Sequence, residues 1–126
     1  MANRELVGRV KVMQTLTPAA RTASANGTGV DLQGFEAVAV AITPGTITDG
    51  THTPVVQESD DNVTFTNVAA GSLQGSLSNI ASNAVQEIGY IGNKRYIRVA
   101  VTVAGATTGG VYGAAVVCGR SRSMPV

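Results

Sequence analysis

His52 is the one histidine of this 126-residue chain, and it stands in Gly50-Thr51-His52-Thr53-Pro54, a segment made of turn formers. A histidine can ligate a metal or act as a general base. A metal site needs further nitrogen, sulfur or carboxylate ligands close by, and a serine hydrolase needs its nucleophile on a sharp turn. Neither a second histidine nor a G-x-S-x-G sequence occurs, and the only cysteine, Cys118, lies far along the chain in an apolar run. His52 therefore reads as a surface histidine in a loop. Cys118 reads as a buried, inert thiol with no intrachain disulfide partner.

The densest oxygen cluster is Glu58, Asp60, Asp61 and Asn62. Calcium takes six to eight oxygens from a suitably folded loop, and the EF-hand spacing is missing here. Paired-carboxylate hydrolysis needs two acids flanking a substrate bond across a cleft, which neighbouring acids at one turn do not provide. A solvated hairpin tip is the expectation. Gly27-Thr28-Gly29 and Gly109-Gly110 lack the lysine and hydroxyl residue of a phosphate loop and read as turns. These observations imply no catalytic residue, no metal and no cofactor, and hence a protein that is not an enzyme.

Basic residues gather weakly, as Lys94, Arg95 and Arg98, with Arg120 and Arg122 near the end. They suit either an acidic partner surface or a solvated strand end. The formal net charge is +1, with nine basic and eight acidic residues, so nucleic acid is not an expected partner. The first residues, MANRELVGRVKVM, carry Arg4, Glu5, Arg9 and Lys11 and hold no apolar run long enough for a signal peptide or a membrane span. A soluble protein made in a cytoplasm is expected, with no membrane partner.

The elements that must hold these residues are strands. From Tyr96 the alternation is strict: Ile97, Val99, Val101 and Val103 share one face, Tyr96, Arg98, Ala100 and Thr102 the other. Val10 to Leu16 alternates in the same way and is expected to stop at Pro18, which cannot donate to a ladder. The small polar residues 19 to 29 form a loop, in which Asn26-Gly27 suits a turn with positive φ. Phe35 to Thr43 sets Val38, Val40 and Ile42 against Phe35, Ala37, Ala39 and Ala41, so both faces are apolar. Such a strand is covered on both sides, either within the chain or by a neighbouring subunit.

Ser59-Asp60-Asp61-Asn62 reads as a hairpin connection, with Val56 and Phe65 pointing inward. Leu73, Leu77 and Ile80 fall at helical spacing among Ser, Gly and Asn, residues that disfavour helix. A long connection with one helical turn is expected there, and long connections are frequent contact loops. About seven or eight short antiparallel strands result, an all-β, single-domain β-sandwich or jelly roll with a small barrel as the alternative. Charged residues make up 13% of the chain, about half the usual share of roughly 25%. A neutral, hydroxyl-rich exterior accounts for this, as does a surface largely covered by other subunits.

The run Gly89-Tyr90-Ile91-Gly92-Asn93-Lys94-Arg95-Tyr96-Ile97-Arg98-Val99 resembles a pattern of small structural proteins of tailed bacteriophages. The upstream hairpin Gln57 to Val68 and the ending Val116-Val117-Cys118-Gly119-Arg120 with Pro125 fit the same resemblance, which covers the chain from Val55 onward. It implies a head protein of the decoration, cement or minor capsid kind, located in the virion. Its partners would be the major capsid protein and copies of itself, as dimer or trimer. On that reading residues 1–8 and 120–126 are flexible arms that order on contact. The contact residues would be Arg4, Arg9, Leu73, Leu77, Lys94, Arg95, Arg120 and Arg122. A carbohydrate- or ligand-binding sandwich and another virion subunit of the tail or head completion are the alternatives.

Overall fold

The computed structural model describes residues 5–121, and it is a β-sandwich. Six strands have five residues or more: β1 (Val10–Arg21), β4 (Phe35–Ile47), β5 (Thr51–Ser59), β8 (Gln86–Tyr90), β9 (Tyr96–Ala104) and β10 (Gly110–Ser121). Four two-residue strands extend the sheets: β2 (Ala25–Asn26), β3 (Val30–Asp31), β6 (Thr66–Asn67) and β7 (Leu73–Gln74). One sheet runs β1-β10-β4-β8-β7; the other runs β2-β9-β5-β6, with β3 also paired to β9, and all pairings are antiparallel.

Period-2 alternation decides the core. Val40 and Ile42 of β4, Val116 and Cys118 of β10, and Ile88 of β8 face Val56 of β5 and Ile97, Val99 and Val101 of β9 in one continuous buried cluster. The faces expected for β4 and β9 are the ones observed. Phe65 is not part of this cluster and is only half-buried, under the Arg98 guanidinium at 4.1 Å from its ring centre. The expectation that it points inward fails because Asn62 takes a left-handed conformation (φ 61) and residues 63–65 leave the strand, so the parity of Val56 does not carry across the turn.

β1 does not stop at Pro18. It continues to Arg21, with register irregularities between Gln14 and Leu16 and between Leu16 and Ala19. β1 is an edge strand, where a residue without an N–H is tolerated, and the irregularity absorbs it. The first irregularity turns Thr15 inward alongside Leu16, and both are buried. The Thr15 hydroxyl donates to the Thr28 carbonyl at 2.8 Å and accepts the Val99 N–H at 3.1 Å, joining the two sheets. Gly27 serves this junction by close approach and not by positive φ: a Cβ there would lie 2.4 Å from the Thr15 hydroxyl oxygen.

The segment after β6 contains a three-residue 3-10 turn (Ala70–Ser72) and β7, with an irregular path beyond. Ile80 is buried, and Leu73 and Leu77 pack half-buried against the core. Their helical spacing marks anchoring points of an irregular cover, since Gly75 takes a positive φ (103) that breaks any continuing helix.

Candidate functional site

The registers bring the start of β1, the end of β10, the start of β4 and the end of β8 to one end of the first sheet. Arg9, Leu73, Lys94 and Arg95 sit at that end, and the backbone places Arg120 there too. Leu77 packs elsewhere along the core, and Arg4 and Arg122 lie outside the described residues. Arg9 makes a local exposed pair with Glu5 at 3.2 Å.

The connection from β8 to β9 is a stapled corner. The Tyr90 hydroxyl donates to Glu58 Oε1 at 2.8 Å and accepts the Lys94 N–H at 3.0 Å, while Gly92 rests on the Tyr90 ring with no room for a side chain. Lys94 Nζ reaches Asp60 Oδ2 at 2.8 Å. Arg95 grips Asp31 with two parallel bonds, Nε to Oδ1 at 2.9 Å and Nη2 to Oδ2 at 2.8 Å, and its carbonyl accepts the Leu32 N–H. The basic pair thus ties the hairpin at 58–60 and the loop at 31–32 to one corner.

The electrostatics follow the contacts. The Arg95 guanidinium holds the Asp31 carboxyl below the usual carboxylate range, and Asp60 and Asp31 raise Lys94 and Arg95 in turn. Burial, reinforced by the Glu58 carboxylate, pushes the Tyr90 phenol up to about 12. A cleft of about 750 Å³ opens beside the corner between residues 32–38, Gln74 and residues 90–95. Its basic groups are already neutralised by aspartates, so it offers hydrogen bonds and a half-buried Phe35 more than net charge.

The acidic cluster is a turn scaffold. Ser59 Oγ donates to Asp61 Oδ1 and accepts the Asp61 and Asn62 N–H groups, and Asp61 Oδ1 accepts the Val63 and Thr64 N–H groups. Among the described residues no group of three or more His, Cys, Asp or Glu is placed to hold a metal ion.

His52 is not on the surface. It lies in β5 opposite Val103, inward and 0% exposed. Pro54 disguised the strand: β6 pairs only with Gln57 and Glu58, so Pro54 lies where β5 has one sheet neighbour and its missing N–H costs no ladder bond. His52 Nε2 lies 3.0 Å from the Asp49 carbonyl, which only accepts, so Nε2 donates there, and Nδ1 is hydrogen-bonded to the Tyr112 hydroxyl at 2.9 Å. The Asp49 carboxylate caps the turn before β10 by accepting N–H bonds from Thr107, Thr108 and Gly109, and these bonds lower its pKa.

The outward face of the first sheet is the second notable surface. Its rows read Val12, Val117, Ala39, Gly89 and, one step along, Gln14, Ala115, Ala41, Glu87. Val10, Gly119 and Ala37 form a third row. The chain covers the inner face of β4 with the opposite sheet, while Ala39 on the outer face is exposed and Val12 is 62% exposed. Apart from Glu87 at one margin, these rows carry no charged side chain. The partners Asp31, Asp60 and Glu58 were not assigned from the sequence; Asp31 lies 64 residues from Arg95, and such a separation carries no local signal.

No protein-family model matches the chain, and no curated protein matches it in sequence. Among solved structures, the fold is similar to SPBc2 prophage-derived protein YomS, with a TM-score of 0.56 and 18% identity over 86% of this chain and 92% of YomS. It is also similar to PBSX exported protein XepA, with a TM-score of 0.59 and 24% identity over 99% of this chain; the chain spans 41% of the length of XepA. The β-sandwich is thus a fold that this chain shares with both proteins.

Proposed function

We propose that this protein is a non-enzymatic structural subunit of a phage particle, placed on the head as a decoration, cement or minor capsid protein. The observation that carries the reading is the near end-to-end likeness to a prophage-derived protein, 86% of this chain on 92% of YomS. The ionisable groups at the stapled corner and at the hairpin tip are engaged in holding loops together, which leaves binding by area as the way the molecule works. Bound to the major capsid protein and to other copies of itself, such a subunit bridges neighbours and gains strength from several simultaneous contacts. Its place is then the virion, with neither nucleic acid nor membrane as a partner.

The cleft beside Tyr90 supports the alternative, a ligand- or carbohydrate-binding module, because its volume of about 750 Å³ falls within the ordinary range of small-molecule sites. The test is to mix the purified protein with phage capsids that lack it. Saturable binding at a fixed ratio to the major capsid protein is expected. Binding confined to tails would move the protein to another virion part, and glycan binding without particle binding would favour the module.

A further inference from the structure

We propose that the outward face of the β1-β10-β4-β8 layer is a self-complementary interface, by which two copies pack sheet against sheet about a twofold axis parallel to the strands. The inference deepens the subunit reading above by naming the surface through which copies meet.

Such an axis passes between β10 and β4 and lays β1 of each copy over β8 of the other. Residues in the same cross-strand row then meet across the interface. In the row Val12, Val117, Ala39, Gly89, the protruding Val12 of one copy comes over Gly89 of the other, where the Gln74 side chain of β7 packs across the glycine and meets it. In the row Gln14, Ala115, Ala41, Glu87, the Gln14 amide comes over the Glu87 carboxylate, so the one charge of the face gains a donor. Gln14 and Glu87 are both exposed in the single copy. Ala39 and Val117 cross near the axis, where small side chains allow close approach of two sheets.

Charge and area both favour a second copy as the occupant. Docking identical faces sets like charges together wherever the centre is charged, and the one charge of these rows, Glu87, lies at the margin, away from the axis and from its own copy. Three strands at about 4.8 Å spacing over nine residues at about 3.3 Å each, with the five residues of β8 beside them, make a footprint on the order of 500 Å². Two such faces bury roughly 1,000 Å², the threshold of a specific interface and the size of a weak, concentration-dependent one. Isologous pairing of this kind uses the same patch twice and closes.

The test uses the full chain. Light scattering from about 1 to about 200 µM is expected to show a dimer, and Ala39→Lys is expected to give a monomer with an unchanged thermal melt. The double variant Gln14→Cys with Glu87→Cys is expected to give a covalent dimer with a short bis-maleimide of about 8 Å reach, since stacked sheets lie about 10 Å apart and facing side chains close part of that gap. Within one chain these positions are three strand spacings apart, roughly 14 Å, beyond that reach. A wild-type monomer across that range, a larger closed oligomer, a dimeric Ala39→Lys, or no crosslink overturns the proposal. A dimer that fails to bind capsids sustains the interface and removes the virion reading; capsid binding by a protein monomeric in solution and uncrosslinked on the particle does the reverse.

Discussion

His52 and Tyr112 meet edge to face across the sandwich, with ring centres 5.2 Å apart, an interplanar angle of 77° and Nδ1 2.9 Å from the phenol oxygen. One ring comes from β5 and the other from β10, so this buried polar contact is one of those that join the two sheets. Removing the hydroxyl while keeping the ring leaves a buried imidazole nitrogen without a partner. Tyr112→Phe is expected to lower stability by about 1–3 kcal/mol, seen as a lower urea midpoint at unchanged slope. An unaltered midpoint would mean that the bond contributes nothing net.

The Thr15 hydroxyl is the counterpart at the other sheet junction. Thr15→Val keeps the shape but orphans the Val99 N–H and the Thr28 carbonyl together. The expected cost is again about 1–3 kcal/mol. Amide exchange should localise it, with Val99 losing protection more than its β9 neighbours. Uniform loss along β9 would refute the assignment.

Acid should weaken the fold through Asp31, Asp49 and Asp61. Each has its folded pKa held below the ordinary 3.8, by Arg95 for Asp31 and by backbone N–H groups for Asp49 and Asp61. A depressed carboxylate contributes stability above its unfolded pKa and loses it as pH falls through the folded value. The urea midpoint is therefore expected to fall from about pH 4 downward, and more shallowly in Asp49→Asn. Equal slopes in the two proteins would exclude Asp49 as a source of the pH dependence.

Cys118 is 0% exposed, and burial pushes its thiol up to about 11. Labelling by a disulfide reagent at pH 8 is expected to be negligible in the native protein and to follow the unfolding curve in urea. Labelling well before the transition would place the thiol in a locally opening segment.

Residues 5–9 pack outside the core, with Val7 84% exposed and the buried cluster beginning beyond them. Deleting residues 1–8 should leave the melting temperature within about one degree and weaken capsid attachment several-fold. Unchanged occupancy on particles would remove the arm from the binding surface, and a collapsed melt would make it part of the fold.

The sandwich was legible because alternation over Tyr96–Val103 and Phe35–Thr43 states which face is buried. The alanine row of β4 was legible too, as an apolar face to be covered either within the chain or by a neighbouring subunit, and the fold leaves Ala39 on it exposed. The strand through His52 was not legible, since Thr51, Pro54 and the flanking glycine are turn formers, and only the partial neighbour on one side of β5 makes Pro54 acceptable. The corner could be seen as basic but not as neutralised. Asp31 and Asp60 reach Lys94 and Arg95 through tertiary placement, which periodicity does not encode.

Pro18 and the two irregularities of β1 have a meaning beyond the strand they interrupt. An uninterrupted twelve-residue margin would template the next molecule and let the sheet grow into an open-ended ribbon. Here one margin is broken by a residue that cannot donate, and the opposite margin, β7, offers only two residues. Lateral polymerisation is thereby discouraged at both rims, and any assembly of this protein is steered toward finite, face-to-face contacts.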